Sequence, residues 1–122
     1  MGNKELLIKE EIKPDAYILR LSGEITKNTG EELLLLRNWE SGLPEGITSL
    51  MIDFSKVSYI NSAGIAALIR LFRLGGGGLY RSGCFGLHYH YEKLFMMVGL
   101  NKYLTIFPSE WSAMEKIQSG SM

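Results

Sequence analysis

The residues best placed to carry chemistry are Asn61-Ser62-Ala63-Gly64, inside the run SYINSAGIAALIRLF (Ser58–Phe72). A strand-like segment turns there into an apolar helix. Asn61 has the side chain of a good N-cap, able to accept an N–H from Ala63 or Gly64. Ser62 then falls in the first helical turn, where unpaired N–H groups and the helix dipole favour an anion. Ala63 and Gly64 keep the approach to its hydroxyl open. A phosphate on Ser62 would add about −1.5 to −2 charges. The helix end tolerates that charge, whereas a partner packed over the turn would have to desolvate it. The chemistry suggested is a modification that changes binding and leaves the fold alone. Taken alone, the pattern is also that of an ordinary helix start.

Other candidate groups point to less. Gly75–Gly78 lacks the setting of a phosphate loop, because a helix precedes it and a strand follows. It reads as a helix-to-strand connection. Cys84, His88 and His90 match no common zinc spacing and supply three ligands at most. They read as a buried thiol and two surface or capping histidines, so neither metal nor cofactor is expected. Asp53 stands at the end of a strand, where α/β folds place ligands, yet no His or acidic residue lies at catalytic spacing. INSAG lacks the G-x-S-x-G nucleophile elbow. Phe85, Tyr89 and Tyr91 have no basic cluster beside them and read as packing residues. No enzymatic constellation emerges.

The elements that must position Ser62 follow from hydrophobic periodicity. Leu6-Leu7-Ile8 and Ile12 predict a first strand, ended by the turn signal Pro14-Asp15. AYILRLSGEI alternates with period two and predicts a second strand, antiparallel to the first. A helix is expected from near Asn28 or Thr29, with Glu31 and Glu32 favouring its start and Gly42 and Pro44 ending it. Ser49–Ser55 reads as a strand buried on both faces. In the second helix, from about Ser62 to Leu74, Ile65, Leu68, Ile69 and Phe72 define a core face. SGCFGL is a weak strand, Tyr89–Val98 a helix capped by Gly99, and Leu104–Phe107 the last strand. A terminal helix opens at Pro108-Ser109 and is expected to pack through Trp111, Met114 and Ile117. The order β-β-α-β-α-β-α-β-α predicts an α/β fold with a mixed sheet.

The bulk composition agrees. A chain of 122 residues suits one domain, with 118–122 as a loose tail. Lys+Arg and Asp+Glu both number 13, so a basic nucleic-acid-binding surface is not expected. One cysteine excludes an internal disulfide. No apolar run reaches the ~18 residues of a membrane span. Gly2 follows Met1, but Leu6 stands where a myristoylation motif needs Ser or Thr. The expected location is the cytoplasm.

IDFSKVSYINSAGIAAL (Ile52–Leu68) resembles the signature of the STAS family, the bacterial anti-sigma factor antagonists and their relatives. Asp53, Ser55, Val57, Ile60, Asn61, Ser62, Ala63, Gly64 and Ile65 match it in order. LSGEI, LFMMVGL and the following NKYLTIFPSEWSAM extend the resemblance over nearly the whole chain. It implies a small α/β STAS domain, a mixed sheet with about four helices, without catalytic activity. It implies phosphorylation of Ser62 by a serine kinase of the histidine-kinase-like ATPase type that is also an anti-sigma factor. The unmodified form would bind that kinase and release a sigma factor, and a PP2C-type serine phosphatase would reset the cycle. Glu24, Thr26 and Asn28, with Ser58 and Tyr59, are expected at the rim of the contact, beside the motif residues Asp53, Asn61, Ala63 and Gly64.

The chain departs from the family pattern in three places. Asn61 stands where many antagonists carry Asp. LYRSGCFGLHYHY is Gly-rich and aromatic where the family is richly apolar, and lacks the usual S/P-x-x-V/I helix opening. Glycines replace the usual polar end of the second helix. Apolar residues on CFGLHYHY leave a homodimer open. The alternative function is an unmodified structural STAS module, either a signalling scaffold or a cytosolic partner of a transport system.

Overall fold

The structure is a computed structural model that describes residues 5–120. Gly2 and the last two residues of the expected tail lie outside them. Strands β1 (Leu6–Ile12), β2 (Tyr17–Ile25), β3 (Ser49–Ile60), β4 (Arg81–Phe85) and β5 (Thr105–Ile106) form one sheet in that spatial order. β1 and β2 make the expected antiparallel hairpin, and the later strands add in parallel. Helices α1 (Lys27–Leu35), α2 (Ser62–Leu74), α3 (Tyr89–Met97) and α4 (Glu110–Gln118) complete the order read from the sequence.

The alternation in β2 sorts the core into two layers. Tyr17, Leu19 and Leu21, with Leu50, Ile52, Phe54 and Cys84, pack under Leu33 of α1, Ile65, Leu68, Leu71 and Phe72 of α2, and Tyr91 and Phe95 of α3. Ile18, Met51 and Phe85 face the other way and meet Ala113 of α4, with Met114 and Ile117 packed at the edge. Gly83 is required here: a Cβ on it would lie 2.8 Å from the Phe107 ring and 3.0 Å from the Met51 methyl. The glycine that weakened the strand prediction is what lets β4 sit under its neighbours.

Several expectations change. Helix α1 begins at Lys27, capped by Thr26, so Asn28 lies within its first turn and Glu31 and Glu32 beyond it. It also stops early, at Leu35. Asn38 accepts the Glu40 N–H and starts a separate 3-10 turn, Trp39–Ser41, and the buried Trp39 indole N–H donates to the Leu33 carbonyl at 3.0 Å. These bonds offer the backbone an alternative to continued helix. Trp111 does not pack: it is 72% exposed, because α4 turns Ala113 toward the sheet. Cys84, Phe85 and Tyr91 are buried, so CFGLHYHY presents little of the apolar surface expected for a dimer, Tyr89 excepted. Gln118, the first residue of the expected tail, belongs to α4.

Candidate functional site

Strand β3 runs 12 residues, to Ile60, and not to Ser55 as its apolar stretch predicts. β4 pairs with it only as far as Asp53, while β2 continues alongside, Glu24 opposite Tyr59 and Ile25 opposite Ile60. The two strands end together, and each passes directly into a helix, β2 through Thr26 into α1 and β3 through Asn61 into α2. The N-termini of α1 and α2 are thereby brought to one end of the sheet.

The junction is tight. The Ile25 carbonyl accepts the Asn61 N–H at 3.1 Å. A Cβ on Gly64 would lie 2.1 Å from the same oxygen, and one on Gly30 would lie 2.5 Å from the Ala67 Cβ. Gly64 therefore serves close approach between α2 and the end of β2. It is buried, so its role is packing rather than opening the path to Ser62.

Asn61 is the N-cap, its backbone extended and its side-chain oxygen accepting the Gly64 N–H at 2.8 Å. Its carbonyl accepts the Ile65 N–H at 2.9 Å. Ser62 is the first helical residue and is exposed, with Ala63 half-buried behind it. The N–H groups of Ser62 and Ala63 lack an acceptor within the helix, as they do at the first turn of any α-helix. The hydroxyl thus stands where partial positive charge is greatest.

Around it the rim is polar and locally braced. The buried Thr29 hydroxyl accepts the Thr26 N–H at 2.8 Å and donates to the Glu24 carbonyl at 2.7 Å. Asn28 is exposed on the first turn of α1. The exposed Ser58 hydroxyl donates to the Gly23 carbonyl at 3.3 Å, and Tyr59 is 48% exposed. Glu24, Thr26, Asn28, Ser58, Tyr59, Asn61, Ser62, Ala63 and Gly64 all belong to these two strand ends and helix starts.

Asp53 does not join them. It lies eight residues before Asn61, roughly 25 Å along an extended strand, and it is buried. Its carboxylate accepts the Ser55 N–H and hydroxyl at 2.8 and 2.6 Å and the Arg20 guanidinium at 2.9 Å. Arg20 also pairs with Glu11 at 2.6 Å and Glu110 at 2.8 Å, tying β1, β2, β3 and α4 together. The guanidinium hydrogen bond holds the Glu11 carboxyl below its ordinary range. Asp53 braces the opposite face of the sheet.

Two residues of the site are missed by the sequence reading. Thr29 completes a Thr-x-x-Thr variant of the capping box, a pattern that was legible. Tyr91, on α3, is buried and its hydroxyl accepts the Ile60 N–H at 3.0 Å. It fixes the last residue of β3 before the cap. Its four-residue spacing from Phe95 signals a core face, but nothing local signals that contact.

Cys84 does not join His88 and His90. Cys84 is fully buried, and burial pushes its thiol well above the ordinary range. His88 and His90 are exposed at the start of α3, and His88 occupies the N-cap position without a side-chain cap bond. Among the described residues, no helix is long and apolar enough to cross a membrane.

The profile of the STAS domain matches residues 8–113, and the chain belongs to that family. Its fold, a mixed five-stranded sheet with four helices, is that of solved anti-sigma factor antagonists. One, from Mycobacterium paratuberculosis, superimposes with a TM-score of 0.77 at 19% identity, covering 96% of this chain and 97% of that one. The Bacillus cell-fate determinant SpoIIAA in its phosphorylated form gives 0.67 at 18% identity, covering 91% and 99%. The murine anion transporter Solute Carrier 26 family member A9 gives 0.69 at 18% identity, over 85% of this chain and 18% of the transporter.

Proposed function

We propose that this chain is an anti-sigma factor antagonist of the cytoplasm, a phosphorylation-switched binding module. The observation that carries the reading is Ser62 itself: exposed, first in α2, and held by a cap that Asn61 closes without using the serine hydroxyl. Unmodified, the strand ends around Ser62 bind a serine kinase of the histidine-kinase-like ATPase type, and the sigma factor held by that kinase is released. The kinase transfers the γ-phosphoryl of ATP to the Ser62 oxygen, ADP leaves, and the hydroxyl proton passes to a base of the kinase. The phosphate faces the α2 dipole, worth about 0.3–1 kcal/mol in its favour, so the fold persists. The kinase now has to desolvate roughly two negative charges at the centre of the contact, and the complex weakens. A PP2C-type phosphatase restores the hydroxyl.

SpoIIAA, a structural neighbour in its phosphorylated form, supports this reading. Asn61 supports it on physical grounds, because it caps the helix as Asp does without placing a second negative charge beside the phosphate. The transporter neighbour favours a second reading, a structural module in which Ser62 is only a helix start. Titration of the genomically nearest ATPase kinase with wild type, Ser62→Ala and Ser62→Asp separates the two. The switch predicts that wild type and Ser62→Ala bind alike and that Ser62→Asp binds at least about tenfold more weakly, near 1.4 kcal/mol. Equal binding by all three, or binding by none, overturns it.

A further inference from the structure

His88 and His90, expected as surface or capping residues, stand close to one another. They are two residues apart, His88 before the first turn of α3 and His90 within it, and both rings are exposed. Yet their Nδ1 atoms converge to 3.1 Å, with ring centroids 4.9 Å apart. The His90 ring lies against the Tyr91 ring, centroid to centroid 3.9 Å and tilted by 42°. Tyr91 is in turn buried and accepts the Ile60 N–H, so the second ligand is set on a rigid base.

From this convergence we propose that His88 and His90 form a chelating site for a divalent transition-metal ion. With metal–nitrogen bonds of about 2.0–2.1 Å, nitrogens at that separation subtend about 95–100° at a shared ion. That angle lies between octahedral and tetrahedral values. Imidazole is the nitrogen ligand preferred by zinc, nickel and copper, whereas magnesium and calcium prefer oxygen. Binding requires both rings in the tautomer that carries the proton on Nε2, leaving both Nδ1 lone pairs directed at the ion. Without an ion, one Nδ1 must donate to the other. Among the described residues no third His, Cys, Asp or Glu completes a cluster, so water fills the remaining positions and the ion exchanges readily. Cys84, buried in the core, takes no part.

The site adjoins the switch without belonging to it. His90 touches Tyr91, and Tyr91 holds Ile60, the residue before the Asn61 cap. Occupancy is therefore expected to register at the Ile60 amide, whether or not Ser62 is ever phosphorylated.

The test is calorimetric titration of Zn²⁺, and separately Ni²⁺, into the full chain at neutral pH. Wild type, His88→Ala, His90→Ala and Cys84→Ser are compared, with circular dichroism confirming the fold of each. Both histidines are exposed, so their replacement leaves the core intact. The proposal predicts one ion per chain, affinity lowered at least tenfold by either histidine substitution and unchanged by Cys84→Ser, and a shift of the Ile60 amide resonance on saturation. Absence of saturable binding, or binding that survives loss of either histidine, overturns it and leaves the pair as a hydrogen bond between two rings.

Discussion

Replacing Gly64 with alanine tests whether the geometry of the Asn61–Gly64 turn is set by tertiary contact. In an exposed helix interior that exchange stabilises by about 0.5–1 kcal/mol. Here the new Cβ meets the Ile25 carbonyl oxygen at 2.1 Å and its carbon at 2.7 Å. Both are backbone atoms of the buried Ile25, so no side chain can swing aside. Restoring an ordinary contact of 3.4 Å requires α2 to retreat by about 1.3 Å. The same oxygen accepts the Asn61 N–H, and a retreat of that size stretches that bond beyond useful length. Overpacking costs about 1–3 kcal/mol and the bond about 0.5–1.5 kcal/mol. After the helix gain is offset, Gly64→Ala should destabilise by about 2 kcal/mol. With a urea m-value of about 2 kcal/mol/M, the midpoint falls by about 1 M at unchanged m. A midpoint that stays level or rises would refute the reasoning, because Gly64 would then be an ordinary helical glycine.

Two further predictions concern the supports of the site and of the sheet. Tyr91→Phe leaves the buried Ile60 N–H without its acceptor and should cost about 1–3 kcal/mol, read as a lowered urea midpoint and faster hydrogen exchange at Ile60. The Arg20 cluster gives an acid-sensitive limb. Glu11 titrates below its ordinary value in the folded chain, so its contribution is present above the unfolded value of about 4.5 and is lost as pH falls through the folded one. Urea midpoints measured between about pH 6 and pH 3 should therefore fall with acidification, and Glu11→Gln should flatten part of that slope; parallel curves would contradict the assignment.

How much of this was legible depended on how local each cause is. The Asn61 cap was readable because an N-cap acts within three residues, and β2 was readable as a strand from its period-two alternation. The start of α1 was placed late because Thr26 and Thr29 cap it with hydroxyls where the usual box has a carboxylate. The length of β3 was underestimated because Ser55–Tyr59 is polar and mostly exposed, and its pairing with β2 is a contact between segments far apart in the chain. Gly64 looked like an open approach, since nothing near it announces the Ile25 carbonyl. Asp53 matched the motif yet serves Arg20 and Ser55, again through a partner distant in sequence. Trp111 looked like an anchor by size alone, whereas α4 seats itself with Ala113 and holds the Arg20 cluster through Glu110.

The central claim is that Ser62 is the modified residue. The most direct measurement is incubation of the chain with the genomically nearest ATPase kinase and ATP, followed by mapping of any phosphate by mass spectrometry, with Ser62→Ala alongside. The account predicts a single added phosphate on Ser62, absent from the Ala variant, and loss of kinase from the modified chain in a pull-down. An unmodified Ser62 in a chain that still binds the kinase, or a phosphate carried elsewhere, would contradict it.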